Sequence, residues 1–229
     1  MNIHFTRSKR YSSRQLFLFN LWPAFLLCLL VSNSLNAGEA VNITDKIPYV
    51  DVIHNGEKVR ILRNPDNENT IDFQYSMTSR PCPPYCIQPI KLAEGIETIG
   101  ELELLDYLKR KSKGDTSILV IDSREAEWLA SGMIPGAINL PWTQIHNKTM
   151  TEKRILELFE FKFDVVQRGK LFEFQYAKTL VFYCNGPWCG QSPSNIRSLT
   201  ALGYPASKLK WYRGGMQSWK AFGLTTVKP

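Results

Sequence analysis

The stretch Ser117–Leu140, "SILVIDSREAEWLASGMIPGAINL", decides the fold class of this chain. It opens with "SILVI", a continuous apolar and β-branched run that is typical of a strand buried on both faces. The next segment, "EAEWLASG", has the pattern of a short helix, and "GAINL" that of a second strand. A strand, a helix and a strand in direct succession predict a mostly parallel sheet with helices on both faces.

The same alternation extends in both directions from this unit. Upstream, Leu102, Leu105 and Leu108 recur at helical spacing within "GELELLDYLKRKSKG". Downstream, the order is a helical segment "TEKRILELFEFKFDVVQRG", a strand "TLVFYC", a helix "PSNIRSLTALGY", a strand "LKWY" and a closing helix "GMQSWKAFG". We therefore predict an α/β domain over residues 93–229.

Residues 38–92 have a different pattern and predict a small β-rich extension. In "YVDVIHNGEKVRILR", two strand-like arms flank Asn55-Gly56, the dipeptide that a type I′ hairpin turn prefers. The segment "IDFQYSM" (Ile71–Met77) alternates like a further strand. In "TSRPCPPYCIQP", four prolines exclude regular structure.

Residues 1–37 have the pattern of a secretory signal peptide. A basic start is followed by the apolar stretch Leu16–Val31, which is short for a membrane span. An uncleaved anchor is the alternative, and only then do we expect the protein to contact a membrane. We expect the body of the chain to be exported, to the periplasm if the source is a Gram-negative bacterium and otherwise as a secreted or membrane-anchored protein.

The basic net charge of +7 comes largely from this leader. Without residues 1–37, 24 Lys and Arg remain against 21 Asp and Glu. The sequence also contains no basic stripe with interleaved aromatic residues. Since nucleic-acid binding depends on concentrated positive charge, we do not expect a nucleic-acid partner.

Export gives meaning to the four cysteines that follow the leader, because an even number in an oxidising compartment favours disulfides. Cys82 and Cys86, a C-x3-C pair among prolines, are most simply a local structural disulfide. The alternative is a redox pair that exchanges with Cys184 and Cys189. We expect no metal or other cofactor, because the histidines of the mature chain have no ligand spacing to these cysteines.

Cys184 directly follows the predicted strand "TLVFY", so it lies at the carboxyl edge of the sheet, where open α/β sheets place their functional residues. We expect the next helix to begin with Ser192 as N-cap and Pro193 as its first residue. A helix N-terminus lowers the pKa of a nearby thiol and makes it nucleophilic. A phosphatase-type loop would need an arginine where this chain has Gly190, so phosphate chemistry is not expected.

Three motifs, in this order and spacing, resemble a rhodanese (sulfurtransferase) domain over residues 93–227: "ILVIDSREAEWLASGMIPGAINLPW", "LVFYCNGPWCGQS" and "WYRGGMQSWKAFGL". The resemblance implies a rhodanese-like α/β fold and a thiosulfate sulfurtransferase type of enzyme. It also implies that Cys184 takes a sulfane sulfur from a small donor, carries it as a persulfide and passes it to a thiol or another nucleophilic acceptor.

The resemblance also implies roles for the residues around Cys184. Arg124 would brace the loop or attract an anionic donor, and Asp122 would orient Arg124. The backbone amides from Asn185 to Gly190 would hold the outer sulfur. The full set of loop residues implied is Asn185, Gly186, Pro187, Trp188, Cys189, Gly190 and Gln191.

The chain departs from the usual rhodanese pattern in its loop. No Arg or Lys occurs from Cys184 to Ile196, and an insertion includes Trp188 and Cys189. A neutral, larger loop favours a donor that is bulkier or less charged than thiosulfate, or a protein partner. Cys189 is either a partner that forms a disulfide with Cys184 or an inert thiol. Two alternatives to sulfur transfer stay open, an exported thiol–disulfide redox protein and a non-catalytic binding module.

Overall fold

The computed structural model describes residues 40–146 and 150–229, so the predicted signal peptide lies outside the described residues. Its centre is a five-stranded parallel sheet with the strand order β3-β9-β8-β4-β5. The strands are β3 (Glu97–Ile99), β4 (Ile118–Asp122), β5 (Ile138–Asn139), β8 (Thr179–Tyr183) and β9 (Leu209–Tyr212). The predicted parallel sheet is therefore confirmed, with β8 as its central strand.

Helices cover both faces of this sheet. Its helices are α2 (Glu101–Ser112), α3 (Glu152–Phe161), α4 (Gln191–Ala201) and α5 (Gly215–Ala221). Along β8, Val181 and Tyr183 belong to the core under α2 and α5, whereas Leu180 and Phe182 belong to the core under α3 and α4. Successive residues of a strand point to opposite faces, which explains why the apolar run is continuous.

The first long helix uses a different face from the one predicted. Leu104, Leu105 and Leu108 are fully buried, whereas the side chain of Leu102 is 50% exposed. The helix begins at Glu101, so Leu102 lies in its first turn beyond the edge of the core. The predicted helix is present, but of the three leucines at helical spacing only Leu105 and Leu108 are buried.

The connection between α3 and β8 also differs from the prediction. The helical pattern was expected to run through "TEKRILELFEFKFDVVQRG", but α3 ends at Phe161. A small antiparallel hairpin follows, formed by β6 (Val166–Arg168) and β7 (Leu171–Glu173). Gly169, in its turn, has a positive φ of 62° that favours glycine over other residues.

The predicted hairpin of the extension is present as β1 (Val50–His54) and β2 (Glu57–Ile61), paired antiparallel. Asn55 and Gly56 have φ angles of 50° and 84°, as a type I′ turn requires. The hairpin packs against α2, since its buried residues share one core with Leu104 and Leu108. The described part of the extension therefore has no separate core.

The strand predicted at Ile71–Met77 is wrong, because this segment contains the short helix α1 (Phe73–Ser76). Only Tyr75 is buried, while Phe73 is 82% exposed. The backbone amides of Tyr75 and Ser76 donate to the carbonyl of Asp72, so the chain makes a helical turn instead of pairing with a strand. The alternation of apolar residues here does not reflect a buried face.

Among residues 40–146 and 150–229, no helix is long and apolar enough to span a bilayer.

Candidate active site

The sheet brings the two predicted strand ends together at one edge. Asp122, the last residue of β4, lies opposite Tyr183, the last residue of β8. The amide of Ser123 donates to the carbonyl of Tyr183 at 2.9 Å, which joins the two strand ends where the loops begin. Cys184 therefore enters its loop beside Ser123, as parallel neighbouring strands require.

The loop between β8 and α4 extends from Cys184 to Gly190. Gly190 is the N-cap and α4 begins at Gln191, so the predicted start at Ser192 is wrong by two residues. Pro193 lies in the first turn, where a backbone amide has no partner within the helix and a proline is tolerated. Ser192 also lies in this first turn, and its amide and side chain both lower the pKa of the Cys184 thiol.

Cys184 is buried, with 2% of its surface exposed, and is surrounded by hydrogen-bond donors. Burial by itself raises the pKa of its thiol, but the Cys189 thiol, the amide and hydroxyl of Ser192 and the amide of Asn185 all stabilise the thiolate. Their sum lowers the pKa of the Cys184 thiol from that of an ordinary cysteine. Protonated, the Cys184 Sγ lies 3.5 Å from the Cys189 carbonyl oxygen, which accepts its hydrogen.

Cys189 is the opposite case, although it is also a free, buried cysteine with 4% exposure. Burial, followed by its interaction with the Cys184 side chain and the charge of Cys184, raises the pKa of the Cys189 thiol well above the usual range. The pKa values of the two thiols are therefore shifted in opposite directions, that of Cys184 downward and that of Cys189 upward.

Two glycine-dependent contacts hold the loop in place. The amides of Met216 and Gln217 donate to the carbonyls of Cys184 and Asn185, each at 2.9 Å. Gly215 makes this approach possible, since a Cβ at this position would lie 2.4 Å from the Cys184 carbonyl oxygen. The loop also turns on itself, because the amide of Cys189 donates to the Gly186 carbonyl at 2.9 Å.

Arg124 is fully buried and does not face a donor. Its guanidinium binds both carboxylate oxygens of Asp122, with the shortest contact at 2.6 Å, and also donates to the carbonyls of Trp128 and Gly132. The remaining N–H donates to the Tyr75 hydroxyl at 3.1 Å. Every N–H of Arg124 thus has an acceptor, and of the two roles implied for it the geometry supports bracing.

Tyr75 links this network to the cysteine loop. Its hydroxyl accepts from Arg124 and donates to the Asn185 Oδ1 at 3.4 Å. On the other side, the hydroxyl oxygens of Ser123 and Ser192 lie 3.0 Å apart, and the Ser123 hydroxyl accepts from the Asn195 side chain at 3.2 Å. Asn185, near the start of the loop, and Ser192, just after its end, are therefore each held by a buried polar contact.

A pocket of about 300 Å³ opens beside the loop. Its lining within the described chain has no charged side chain and consists of Pro84, Tyr85, Trp128, Trp142, Asn185, Trp188, Cys189, Gly190, Gln191 and Ser194. Cys189 is part of this lining and Cys184 is not. A ligand in the pocket would therefore contact Cys189, whereas Cys184 is not exposed to the pocket.

Trp188 is fixed as a wall of this pocket by contacts on several sides. Its indole N–H donates to the Gln217 Oε1 at 2.8 Å. The guanidinium of Arg80 stacks on the ring at 4.0 Å, and the edge of Tyr85 packs at 5.5 Å between ring centroids. Because both its polar and its apolar parts are held, Trp188 is a rigid surface for a ligand.

The described structure thus has a buried cysteine at the end of a central strand, with the amides of Asn185 and Ser192 beside its sulfur, in a parallel α/β frame. Of the amides from Asn185 to Gly190 that were implied to hold a sulfur, the amide of Cys189 instead donates to the Gly186 carbonyl. The sequence pattern of the Rhodanese-like domain family matches residues 104–222, just over half of the chain. The chain belongs to the rhodanese-like domain family.

Similar proteins cover the rhodanese-like part of the chain. The HTH-type transcriptional regulator Rv0324 of Mycobacterium tuberculosis is 28% identical over 119 residues, which are 52% of this chain and 41% of the regulator. The chain therefore spans less than half the length of this curated relative. Among solved structures, the human single-domain sulfurtransferase TSTD1 is 20% identical with a TM-score of 0.34, covering 54% of this chain and 94% of that protein. The single-domain sulfurtransferase RDL2 of Saccharomyces cerevisiae is 18% identical with a TM-score of 0.34, covering 58% and 95%.

The extension contributes to the pocket of the rhodanese-like domain. Cys82 and Cys86 are joined in a disulfide, with 4.6 Å between their Cα atoms. The segment that follows this disulfide contacts the cysteine loop, since the Gln88 amide donates to the Pro187 carbonyl at 2.8 Å. Arg213 holds this segment by donating to the Gln88 carbonyl at 2.8 Å.

In the described residues, no group of three or more His, Cys, Asp or Glu side chains is placed to hold a metal ion.

Sequence reasoning missed several residues of this rhodanese-like site. Tyr75 and Tyr85 lie in the extension, and no motif pointed to them. Ser192 was interpreted only as a helix cap, although it also stabilises Cys184. For Trp128, Trp142 and Trp188 the sequence offers one signal, because each of them follows a predicted strand. Their convergence on one pocket depends on the fold.

Proposed function

We propose that this protein is a sulfurtransferase that carries a sulfane sulfur as a persulfide on Cys184. The observation that carries the proposal is the position of Cys184, which is buried directly after β8 and beside the first turn of α4, where its neighbours lower the pKa of its thiol. A thiolate is the nucleophile that sulfur chemistry requires, and the same neighbours stabilise an anionic persulfide. Membership of the rhodanese-like family supports this assignment.

The first step balances without any added oxidant or reductant. The Cys184 thiolate attacks the terminal sulfur of a thiosulfonate-type donor and forms a new S–S bond. The bond between this sulfur and the sulfonyl group breaks, and a sulfinate leaves with the electron pair. An acceptor thiolate then attacks the outer sulfur of the Cys184 persulfide and restores the thiolate.

The lining of the pocket indicates the class of donor. Tyr85, Trp128, Trp142 and Trp188 provide aromatic surface, and no basic side chain of the described chain lines the pocket. A dianion such as thiosulfate has no charged partner there, whereas an aromatic carrier group stacks favourably on the rings. We infer an organic donor with a bulky apolar or aromatic group and a thiol acceptor. The leader pattern supports an exported site of action.

The test compares two donors of the same sulfur chemistry, benzenethiosulfonate and thiosulfate, with cyanide as acceptor. We expect thiocyanate to form with both, and kcat/KM to be at least several-fold higher for benzenethiosulfonate. Cys184→Ser should abolish thiocyanate formation and the release of benzenesulfinate. Absence of both products from the wild-type protein would contradict the proposed function, and a preference for thiosulfate would contradict the donor class.

A thiol–disulfide redox function is the second candidate, and the closeness of the two free thiols, each of which shifts the pKa of the other, favours it. Thiol–disulfide turnover requires both cysteines. The two functions separate in Cys189→Ser: sulfur transfer to cyanide should be slower but measurable, while turnover of a disulfide substrate should be lost.

A further inference from the structure

We propose that Cys189 resolves the Cys184 persulfide within the loop, so that the protein releases the sulfane sulfur as hydrosulfide when no external acceptor is present. This inference rests on the proposed function, because it needs the persulfide to form. It adds a reductive activity that converts sulfane sulfur to sulfide at the expense of the Cys184–Cys189 thiols.

The loop places Cys189 against Cys184. The hydrogen bond from the Cys189 amide to the Gly186 carbonyl folds the chain back, and the Cys189 carbonyl lies 3.5 Å from the Cys184 Sγ. Both cysteines are free, and their side chains are close enough for each to shift the pKa of the other. A persulfide on Cys184 therefore has a thiol as its direct neighbour.

Burial makes this internal thiol the first available acceptor. Cys184 is 2% exposed and lies outside the pocket lining, whereas Cys189 forms part of that lining. An external acceptor has to pass Cys189 to reach the outer sulfur. A thiol held in contact reacts at an effective concentration far above that of a dissolved thiol.

The surroundings of Cys189 favour reaction over a structural role. Its thiol donates to the Gln191 Oε1 at 3.5 Å and is not part of a disulfide. Pro187, before it in the loop, is held by the Gln88 amide, and Trp188 is held by Gln217. Pro187 and Trp188, just before Cys189, are thus held in place. The Cys189 side chain itself lies between the pocket and Cys184.

The step balances in atoms and electrons. The Cys189 thiol gives its proton to the outer sulfur of the anionic persulfide, and its own sulfur forms a bond to the inner sulfur on Cys184. The bond between inner and outer sulfur breaks, and the outer sulfur leaves as HS⁻ with the electron pair. The outer sulfur is reduced to sulfide, the two cysteines are oxidised to a disulfide, and an external dithiol reductant restores them.

The experiment mixes the fully reduced protein, free of added thiol and oxygen, with a stoichiometric amount of benzenethiosulfonate. We expect each wild-type chain to release a benzenesulfinate and a sulfide, and peptide mapping under non-reducing conditions to show a Cys184–Cys189 disulfide. In Cys189→Ser we expect benzenesulfinate without sulfide, and mass spectrometry should find the extra sulfur on Cys184. A Cys82→Ser/Cys86→Ser control should release as much sulfide as the wild type, because these cysteines supply no electrons to the step.

The wild-type result alone decides the inference, whether or not the variants fold. Release of benzenesulfinate without sulfide, or an extra sulfur found on Cys189, would overturn resolution while leaving sulfur transfer intact. Absence of benzenesulfinate would instead mean that no persulfide forms, which is the failure of the proposed function.

Discussion

Cys184 and Cys189 show how position separates two chemically identical residues. Both are almost completely buried, so desolvation raises the pKa of each thiol. Cys184 also receives hydrogen bonds from Ser192, Asn185 and Cys189, and these outweigh its burial. The side chain and charge of Cys184 raise the pKa of the Cys189 thiol, which donates to the Gln191 Oε1. The different roles of the two cysteines therefore depend on the groups around each sulfur.

This asymmetry predicts a pH dependence of persulfide formation. The reactive form is the Cys184 thiolate, so the loading rate should rise with pH, with its inflection at a lower pH than an ordinary cysteine thiol would give. Cys189→Ala removes a donor to the thiolate, raises the pKa of Cys184 and should move the inflection to higher pH. Stopped-flow measurement of benzenesulfinate release between acidic and alkaline pH tests this. An inflection at the same pH in both proteins would contradict a stabilising role of the Cys189 thiol.

Arg124 has a structural effect that is large because its partner is buried too. Arg124→Met leaves the Asp122 carboxylate without its counter-charge, and we expect the free energy of unfolding to fall by about 3–5 kcal/mol. The matched control is Lys58→Met, which breaks an exposed ion pair with Asp51 and should cost about 1 kcal/mol or less. Denaturant titration measures both. If Arg124→Met left stability unchanged and raised the KM for the donor, Arg124 would be a donor-binding residue instead.

At the scale of elements, the site depends on how closely α5 approaches the cysteine loop. The start of α5 donates to the loop carbonyls, and only a glycine at position 215 leaves room for this contact. The loop is therefore shaped from outside itself, by an element that follows it in the chain. The first turn of α4 completes the site through Ser192.

This contact predicts different effects for two glycine substitutions that have similar backbone angles. Gly215→Ala and Gly169→Ala both place an L-residue at positive φ, 56° and 62° respectively. Gly169 has open space around it, so Gly169→Ala should cost about 1–2 kcal/mol of unfolding free energy and leave sulfur transfer unchanged. Gly215→Ala adds a clash with the Cys184 carbonyl and should both destabilise the protein further and abolish most of the transfer. Equal effects of the two substitutions on sulfur transfer would contradict this account.

At the scale of the whole molecule, the extension is part of the rhodanese-like unit. Its hairpin fills one face of the core, Tyr75 joins the Arg124 network, and Pro84 and Tyr85 form a wall of the pocket. The described chain from residue 40 onward thus folds around a shared core. We therefore expect a loss of packing in the hairpin to disturb the geometry of the active site.

Two isoleucines of the hairpin test this dependence. Ile61 is fully buried, so Ile61→Ala should lower the free energy of unfolding by about 2–5 kcal/mol. Ile53 is 41% exposed, and Ile53→Ala should cost less than about 1 kcal/mol. A single cooperative transition, seen by tryptophan fluorescence in both variants, is expected for a shared core. Separate unfolding of the hairpin in Ile61→Ala would show that the extension is independent.

Local patterns predicted well wherever a segment is determined by its own residues. The apolar runs of β4 and β8 and the turn at Asn55-Gly56 are such segments. The predictions failed where a distant contact decides the outcome, as in the segment Ile71–Met77. Its alternating residues found no neighbouring strand, and Tyr75 alone was buried because Arg124 and Asn185 bind its hydroxyl.

The sequence by itself determined the parallel α/β sheet, the place of Cys184 at the end of a central strand and the neutral character of its loop. These features follow from periodicity and residue type within short segments. Only the tertiary structure decided that the pKa values of the two loop cysteines shift in opposite directions, that Arg124 binds Asp122, and that residues from the extension line the pocket. The physical reason is that ionisation, burial and pocket shape depend on groups that are close in space and far apart in the chain.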